Sequence, residues 1–300
     1  MTQTQEKKPP LTAAQQRKRN IRTRAITRVV IQCVFFITMP GAFVAGFSGV
    51  KYLFQSIGNG AQLAMNSFVA SLIGLAVFTI LFGRYFCGYV CAFGSLGDLV
   101  YWLSGLVQKK LFRQKKQFTL PKQALPWLQK VKYLLLAAIV VLCALGTYET
   151  LSGASPWEVF SRLTALKGVP SGYLIGVLLL VLILVGMALQ ERFFCQFLCP
   201  MGAVFSLLPI LPWGMLRRKK ETCISGCNVC ANQCPVGLKL ETDGFRNGEC
   251  IGCEKCAAAC PRGNISHSEQ KFISNALIPI AAKAVLFFAL GACLGFCRFL

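Results

Sequence analysis

Long apolar blocks constrain this chain more than any other feature. They fall at residues 29–47, 62–82, 131–146, 171–189 and 272–295. A bilayer core about 30 Å thick takes roughly 20 apolar residues as a helix, the form in which a single segment satisfies all its own backbone polar groups. Composition agrees, with 55% hydrophobic residues, only 14% charged and a mean hydropathy of +0.56, outside the range of soluble domains. The first four blocks are expected to be transmembrane helices. The fifth is a candidate fifth span, because Lys283 lies at its middle, where a charge costs about 2.5–3.5 kcal/mol. The first block starts only after residue 28 and is longer than a signal core, so it is expected to remain as an anchor.

The net charge of +21 is concentrated beside these blocks. Lys7, Lys8, Arg17, Lys18, Arg19, Arg22, Arg24 and Arg28 precede the first. Lys109, Lys110, Arg113, Lys115, Lys116, Lys122, Lys130 and Lys132 lie between the second and third, and Arg217, Arg218, Lys219 and Lys220 follow the fourth. The short loops 48–61 and 147–170 hold only Lys51, Arg162 and Lys167, offset by Glu149 and Glu158. This alternation follows the positive-inside rule and argues against nucleic acid as a partner. It predicts a multi-pass membrane protein with the N-terminus, the 84–130 loop and the cysteine-rich region cytoplasmic.

The membrane part repeats itself. Arg84-Tyr85-Phe86-Cys87-Gly88-Tyr89-Val90-Cys91 aligns with Arg192-Phe193-Phe194-Cys195-Gln196-Phe197-Leu198-Cys199, and Gly94 with Gly202. A pair of helical hairpins related by duplication is the economical reading. If each block continues as a helix, a spacing of four puts both cysteines on one face. Cys87, Cys91, Cys195 and Cys199 could then converge between the repeats; the alternative is packing filler, as read for Cys33, Cys143, Cys293 and Cys297.

Downstream, eight cysteines form two runs, each ending in Cys-Pro: Cys223, Cys227, Cys230 and Cys234, then Cys250, Cys253, Cys256 and Cys260. This is the spacing of a two-cluster bacterial ferredoxin, in which the fourth cysteine of each run serves the other cluster. The expected ligands are Cys223, Cys227, Cys230 and Cys260 for one [4Fe–4S] cluster, and Cys250, Cys253, Cys256 and Cys234 for the second. Zinc knuckles would need paired Cys-x2-Cys units with four ligands per site, into which these runs do not divide. On the reducing side of a membrane, thiols serve metals rather than disulfides. His267 is the only histidine, which excludes a bis-histidine haem relay; it is read as a solvated residue beyond the cluster domain. No nucleotide fingerprint is present, so electrons are expected from a lipid-phase donor or a partner protein.

The fold expected is mainly α and membrane-embedded, with four transmembrane helices and a candidate fifth, arranged as two duplicated hairpins. A small α+β ferredoxin-like domain for two [4Fe–4S] clusters is attached. The expected divisions are 1–28, a basic cytoplasmic segment; 29–216, the transmembrane region; 217–268, the cytoplasmic cluster domain; and 269–300, the C-terminal hydrophobic segment. In the outer loop, Pro156, Trp157 and Phe160 read as an interfacial aromatic belt, with Glu158 a candidate proton acceptor.

Over residues 25–262 the chain resembles the NapH family of membrane ferredoxin-type quinol dehydrogenase components, whose plan NosR-type and MauN-type proteins share. The resemblance rests on the two Arg-aromatic-aromatic-Cys-x3-Cys blocks and the two ferredoxin runs. It implies an inner-membrane protein passing electrons from quinol through iron–sulfur proteins to a reductase, or to a cofactor-maturation step. It also implies Cys87, Cys91, Cys195 and Cys199 as a further redox or metal site. Ala92 stands where the family has proline, and the fifth apolar segment lies beyond the typical member. The leading expectation is an electron carrier with the membrane, the quinone pool and other iron–sulfur or reductase subunits as partners. The alternative is an accessory factor that reduces a metal or thiol for a client metalloenzyme.

Overall fold

The computed structural model describes residues 12–112, 125–219, 221–238, 248–267 and 277–297. Part of the expected basic clusters (Lys7, Lys8, Arg113, Lys115, Lys116, Lys122 and Lys220) and the start of the fifth apolar block lie outside the described residues. Helix α1, Ala13–Thr38, opens on a capping box in which the Thr12 side chain accepts from the Gln15 amide and Gln15 accepts from the Thr12 amide. It carries both the basic residues and the first apolar ones, so a single helix runs across residue 28. Pro40 lacks an N–H and ends it. Helix α2, Ala42–Gly58, leaves at an angle of 63°. The first apolar block is therefore a broken pair rather than a straight span, and the expected loop at 48–61 is helical as far as Gly58.

Helix α3, Ser67–Phe82, is capped by Asn66, whose side chain accepts from the Val69 amide at 2.9 Å. Its 16 residues reach about 24 Å, short of a full bilayer core. It packs closely on α2 because Gly49 has no side chain: a Cβ there would come within 2.8 Å of Leu72 Cβ. The expected 84–130 loop contains a further helix, α4, Ala92–Phe112. The Ser104 hydroxyl donates to the Ala188 carbonyl at 2.7 Å, while Trp102, Leu103, Leu106, Val107 and Leu111 face outward.

Helices α5, Leu125–Ala144, and α7, Leu174–Leu189, contain the two straight stretches among the described residues that are long and apolar enough to cross a membrane. The bent α1–α2 pair is a third if counted as one span. Between α5 and α7, helix α6, Pro156–Thr164, carries the outer aromatics. Trp157 and Phe160 are core residues, with Trp157 Nε1 donating to the Tyr148 hydroxyl at 3.2 Å, and Glu158 is paired with Lys51 at 3.0 Å. The expected aromatic belt is therefore internal packing, because the amphipathic α6 folds inward onto Phe47.

After α7 come two short helices, α8, Phe193–Phe197, and α9, Pro200–Leu207. The cysteine-rich part pairs strand β1, Leu216–Arg218, antiparallel with β2, Ile265–His267, in the register Leu216 to His267. Two short helices lie between them, α10, Val229–Asn232, and α11, Lys255–Ala259. A small core of Leu216, Cys230, Ala257 and Ile265 holds this domain together. Helix α12, Leu277–Cys293, packs on α1 and α3, and the Tyr85 hydroxyl donates to its Ile280 carbonyl at 2.8 Å. Lys283 is buried there, 5.8 Å from the Phe82 ring.

Candidate metal centres

The eight C-terminal cysteines divide between two cavities. Cys223, Cys227, Cys230 and Cys260 line one, with Arg218, Arg262 and Ile265 around them; it holds about 320 Å³ of empty space, counting its open mouth. Cys234, Cys250, Cys253 and Cys256 line the second, with Leu216, Val236, Leu238 and Ile251, at about 340 Å³. The last cysteine of each run thus reaches across to the other run's cavity. Sulfur acceptors meet donors: Arg218 Nη2 lies 3.1 Å from Cys223 Sγ, and the Leu238 and Asn264 amides lie 3.4 Å from Cys234 Sγ and Cys260 Sγ. Burial pushes the Cys234 thiol up to about 11 and Cys250 up to about 12, so without a cation both are neutral at pH 7. Among the described residues, no three His, Cys, Asp or Glu side chains gather tightly enough for a single metal ion. Four thiols spread around an apolar cavity suit a polynuclear iron–sulfide core.

His267 is buried against Glu254, with Nε2 3.0 Å from Oε1, which corrects the solvated reading. The two-residue period of β2 sends Ile265 and His267 inward. Glu254 also accepts from Arg24 of α1 at 3.2 Å, tying the cluster domain to the basic N-terminal helix.

The duplicated blocks lie against this domain. Residues 86–90 form one turn of π-helix, and Cys91 is extended (φ −58°, ψ 117°) before α4; Cys199 (φ −76°, ψ 111°) does the same before α9. The blocks are therefore not continuous helices. Each second cysteine instead stands at the N-cap of the next helix, where the Gly202 amide donates to Cys199 Sγ at 3.1 Å and Gly94 does likewise to Cys91. Ala92 and Pro200 occupy the equivalent first helical position, which explains why alanine serves in place of proline. All four cysteines are buried, at 6–7% exposure, and close enough to influence one another electrostatically.

Two arginines, each 1% exposed, cross between the repeats. Arg192 donates to the carbonyls of Cys87 (2.6 Å) and Gly88 (3.2 Å) and grips Asp98 of α4 at 2.8 and 2.6 Å. Arg84 donates to the Gly248 carbonyl at 2.8 Å, lies 3.6 Å from Glu249 and hydrogen-bonds Cys87. Each arginine occupies the space left by the other repeat's glycine. A Cβ at Gly94 would overlap Arg192 Nη1, and one at Gly202 would lie 3.0 Å from Arg84 Nη2. Arg28 also pairs with Asp98, and Lys132 with Glu249. Sequence reasoning found the repeated arginines and cysteines but missed the two carboxylates. Asp98 was visible as the lone acidic residue between Glu6 and Glu149.

A family model described as a 4Fe-4S binding domain matches the chain twice, over residues 66–116 and 173–220. Both matches fall on the duplicated blocks rather than on the eight-cysteine region. An uncharacterised protein of Methanocaldococcus jannaschii is 31% identical, over 81% of this chain and 87% of its own. The putative electron transport protein YccM of Escherichia coli is 28% identical over 80% of this chain and 67% of its own. The methylamine utilization ferredoxin-type protein MauN of Methylobacillus flagellatus is 27% identical over 77% and 83%. Further relatives include NapH, NirI and NosR proteins. No solved structure matches the chain.

Proposed function

This chain belongs to the family of ferredoxin-type proteins that includes NapH, MauN, NirI and NosR, and on that premise we propose that it carries electrons from a membrane donor to a partner reductase through two clusters. The observation that carries the reading is the interleaving of the two cysteine runs around two cavities. Cys223, Cys227, Cys230 and Cys260 would hold one [4Fe–4S] cluster; Cys250, Cys253, Cys256 and Cys234 would hold the other. A bound cubane exchanges one electron at a time. The chain's own part is to exclude water and supply N–H donors to the sulfurs, both of which set the potential.

The two cavities differ in position. The second lies against the duplicated blocks: a Cβ at Gly88 would come 2.5 Å from the Ile251 carbonyl and 3.4 Å from the Cys253 amide, and Gln196 bonds the Pro235 carbonyl. The first has Arg218 and Arg262 in its lining. In this reading electrons enter near the membrane edge, pass to the second site, and leave from the first toward a reductase subunit. Quinol is the proposed donor, and the cluster domain and N-terminus face the cytoplasm of the inner membrane. The four apolar stretches, with α12 as a fifth, form the membrane unit. The alternative, a factor that reduces a client's metal or thiol through Cys87, Cys91, Cys195 and Cys199, is disfavoured by the burial of those four.

Purified protein in lipid, given a quinol analogue under anaerobic conditions, is expected to develop the electron paramagnetic resonance signals of reduced [4Fe–4S] clusters. Failure of every quinol where dithionite succeeds would remove quinol as donor and leave the carrier role intact. Absence of cluster signals with dithionite would remove both.

A further inference from the structure

We propose that the face around the first cysteine cavity is a docking surface for an acidic one-electron protein, which takes electrons from the cluster proposed there. The two cavities differ in what covers them. Every residue lining the second is buried or half-buried. In the first, Ile224, Pro261 and Arg262 line the cavity and are also exposed, Ile224 at 45%. At these points the wall between the site and solvent is one residue thick. The cysteine spacing contributes: three residues separate Cys223 from Cys227, where two separate Cys250 from Cys253. The three, Ile224, Ser225 and Gly226, are all exposed, and Gly226 turns the chain at φ 71°. The longer loop thus carries an apolar side chain at the cavity's mouth.

Charge points to the partner. Segments 216–230 and 260–265 carry Arg217, Arg218, Lys219, Lys220 and Arg262 against a single carboxylate, Glu221. Arg217, Lys219 and Arg262 are exposed, and Arg218 lines the cavity beside Cys223. The Lys219 amide donates to the carbonyl of the cavity-lining Asn264 at 3.0 Å, which holds Lys219 at the rim. A small apolar centre ringed by charge of one sign suits a transient electron-transfer complex: the field steers the encounter, and the small contact releases quickly. Anionic lipid would match the charge but has no centre to receive an electron, and it is the second cavity that adjoins the membrane-edge blocks. In the proposed step one electron passes from the reduced cluster to the oxidised centre of the acidic protein, and no bond forms or breaks.

The inference rests on the two-cluster reading for the source of the electron, and binding tests it separately. Full-length protein, reconstituted anaerobically with iron and sulfide in detergent, is mixed with flavodoxin, an acidic one-electron protein, or with cytochrome c, a basic one. Flavodoxin is expected to bind the more tightly, with an affinity that falls about tenfold or more from low to physiological salt. Arg217→Glu with Lys219→Glu should weaken flavodoxin binding and slow its reduction by about 10- to 100-fold. Cluster content should stay the same, since neither side chain lines a cavity. Lys109→Glu with Lys110→Glu makes the same charge change at the exposed end of α4 and should have little effect. Equal effects from the two pairs, tighter binding of cytochrome c, or salt-independent flavodoxin binding would overturn the inference and spare the carrier reading. Protection of Lys219 from a water-soluble amine reagent in phosphatidylglycerol nanodiscs, but not in phosphatidylcholine ones, would assign the face to lipid and also overturn it. The wild-type salt dependence and probe preference decide the matter if the charge-reversed variant fails to fold. Wild-type protein without dithionite-reducible clusters would overturn both the carrier reading and this inference.

Discussion

The two halves of the duplication solve the same electrostatic problem with different parts. In one, Arg192 is neutralised within the membrane unit by Asp98 of α4, in a two-pronged contact supported by Gln32 at 2.7 Å. In the other, Ser206 occupies the position equivalent to Asp98, and the carboxylate is supplied by Glu249 at the edge of the cluster domain. Ser206 and Tyr133 join that network, each oxygen 2.7 Å from the next. The backbone differs as well, since Arg192 itself takes the left-handed helical conformation (φ 59°, ψ 27°) whereas in the first repeat the positive φ falls on Gly83, with a different ψ (φ 69°, ψ −168°). One half is self-contained; the other ties the membrane unit to the domain that carries the eight cysteines.

Asp98→Asn gives the largest expected effect. It leaves Arg28 and Arg192 buried without their shared counterion, a loss of about 3–5 kcal/mol for breaking a buried pair. Thermal unfolding in detergent should fall by roughly 6–20 °C, or the protein should fail to accumulate. Glu249→Gln also strips two buried cations, Arg84 and Lys132, of a shared carboxylate, but should cost less, about 1–3 kcal/mol, because Arg84 stands farther from it and keeps the Gly248 carbonyl, while a lysine, unlike an arginine, can shed its proton when buried. Its effect should centre on the cluster domain, read as a shifted signal from the second site. Equal losses in the two variants would break the contrast drawn between the halves.

Glycine substitutions sharpen the same contrast at smaller scale. Gly94→Ala drives a methyl group into Arg192 and should cost about 1–3 kcal/mol. Gly202→Ala meets Arg84 at a less severe distance and should cost less, measured by denaturant or thermal melts side by side. Acid offers a further probe. Burial alone would raise the Asp98 pKa, but Arg192 and Arg28 outweigh it and hold it down at about 2. The resulting stability is fully present above the ordinary carboxylate value near 3.9 and is lost as pH falls through about 2. Melting temperature against pH should show this limb, and Asp98→Asn should flatten it. The smallest effect is expected outside both halves. Lys51→Met in the partly exposed Lys51–Glu158 pair should change stability by about 1 kcal/mol or less.

Much of this molecule is legible residue by residue. The apolar blocks mark the segments that become α1–α2, α3, α5, α7 and α12, because a long apolar run has few ways to satisfy its backbone away from water. Their exact form was less legible. Pro40 was visible as a helix breaker, yet the resulting bend and the continuation of α2 to Gly58 depend on packing against α3. The outer aromatics illustrate the same limit: Trp157 and Phe160 have the composition of an interfacial belt, but whether an amphipathic helix faces lipid or folds inward depends on its neighbours.

The sequence alone determined the helical, membrane-directed character of the chain, its internal duplication and the grouping of eight cysteines into two runs, since these are patterns of spacing and hydropathy along one dimension. Only the tertiary structure decided that Cys91 and Cys199 cap helices rather than line them, that His267 is buried against Glu254, and that each repeat's arginine fits the other's glycine gap. The arginine–glycine relations join residues 98 and 118 positions apart. Their cause is the requirement that buried charges and donors find partners, which the linear order of residues does not display.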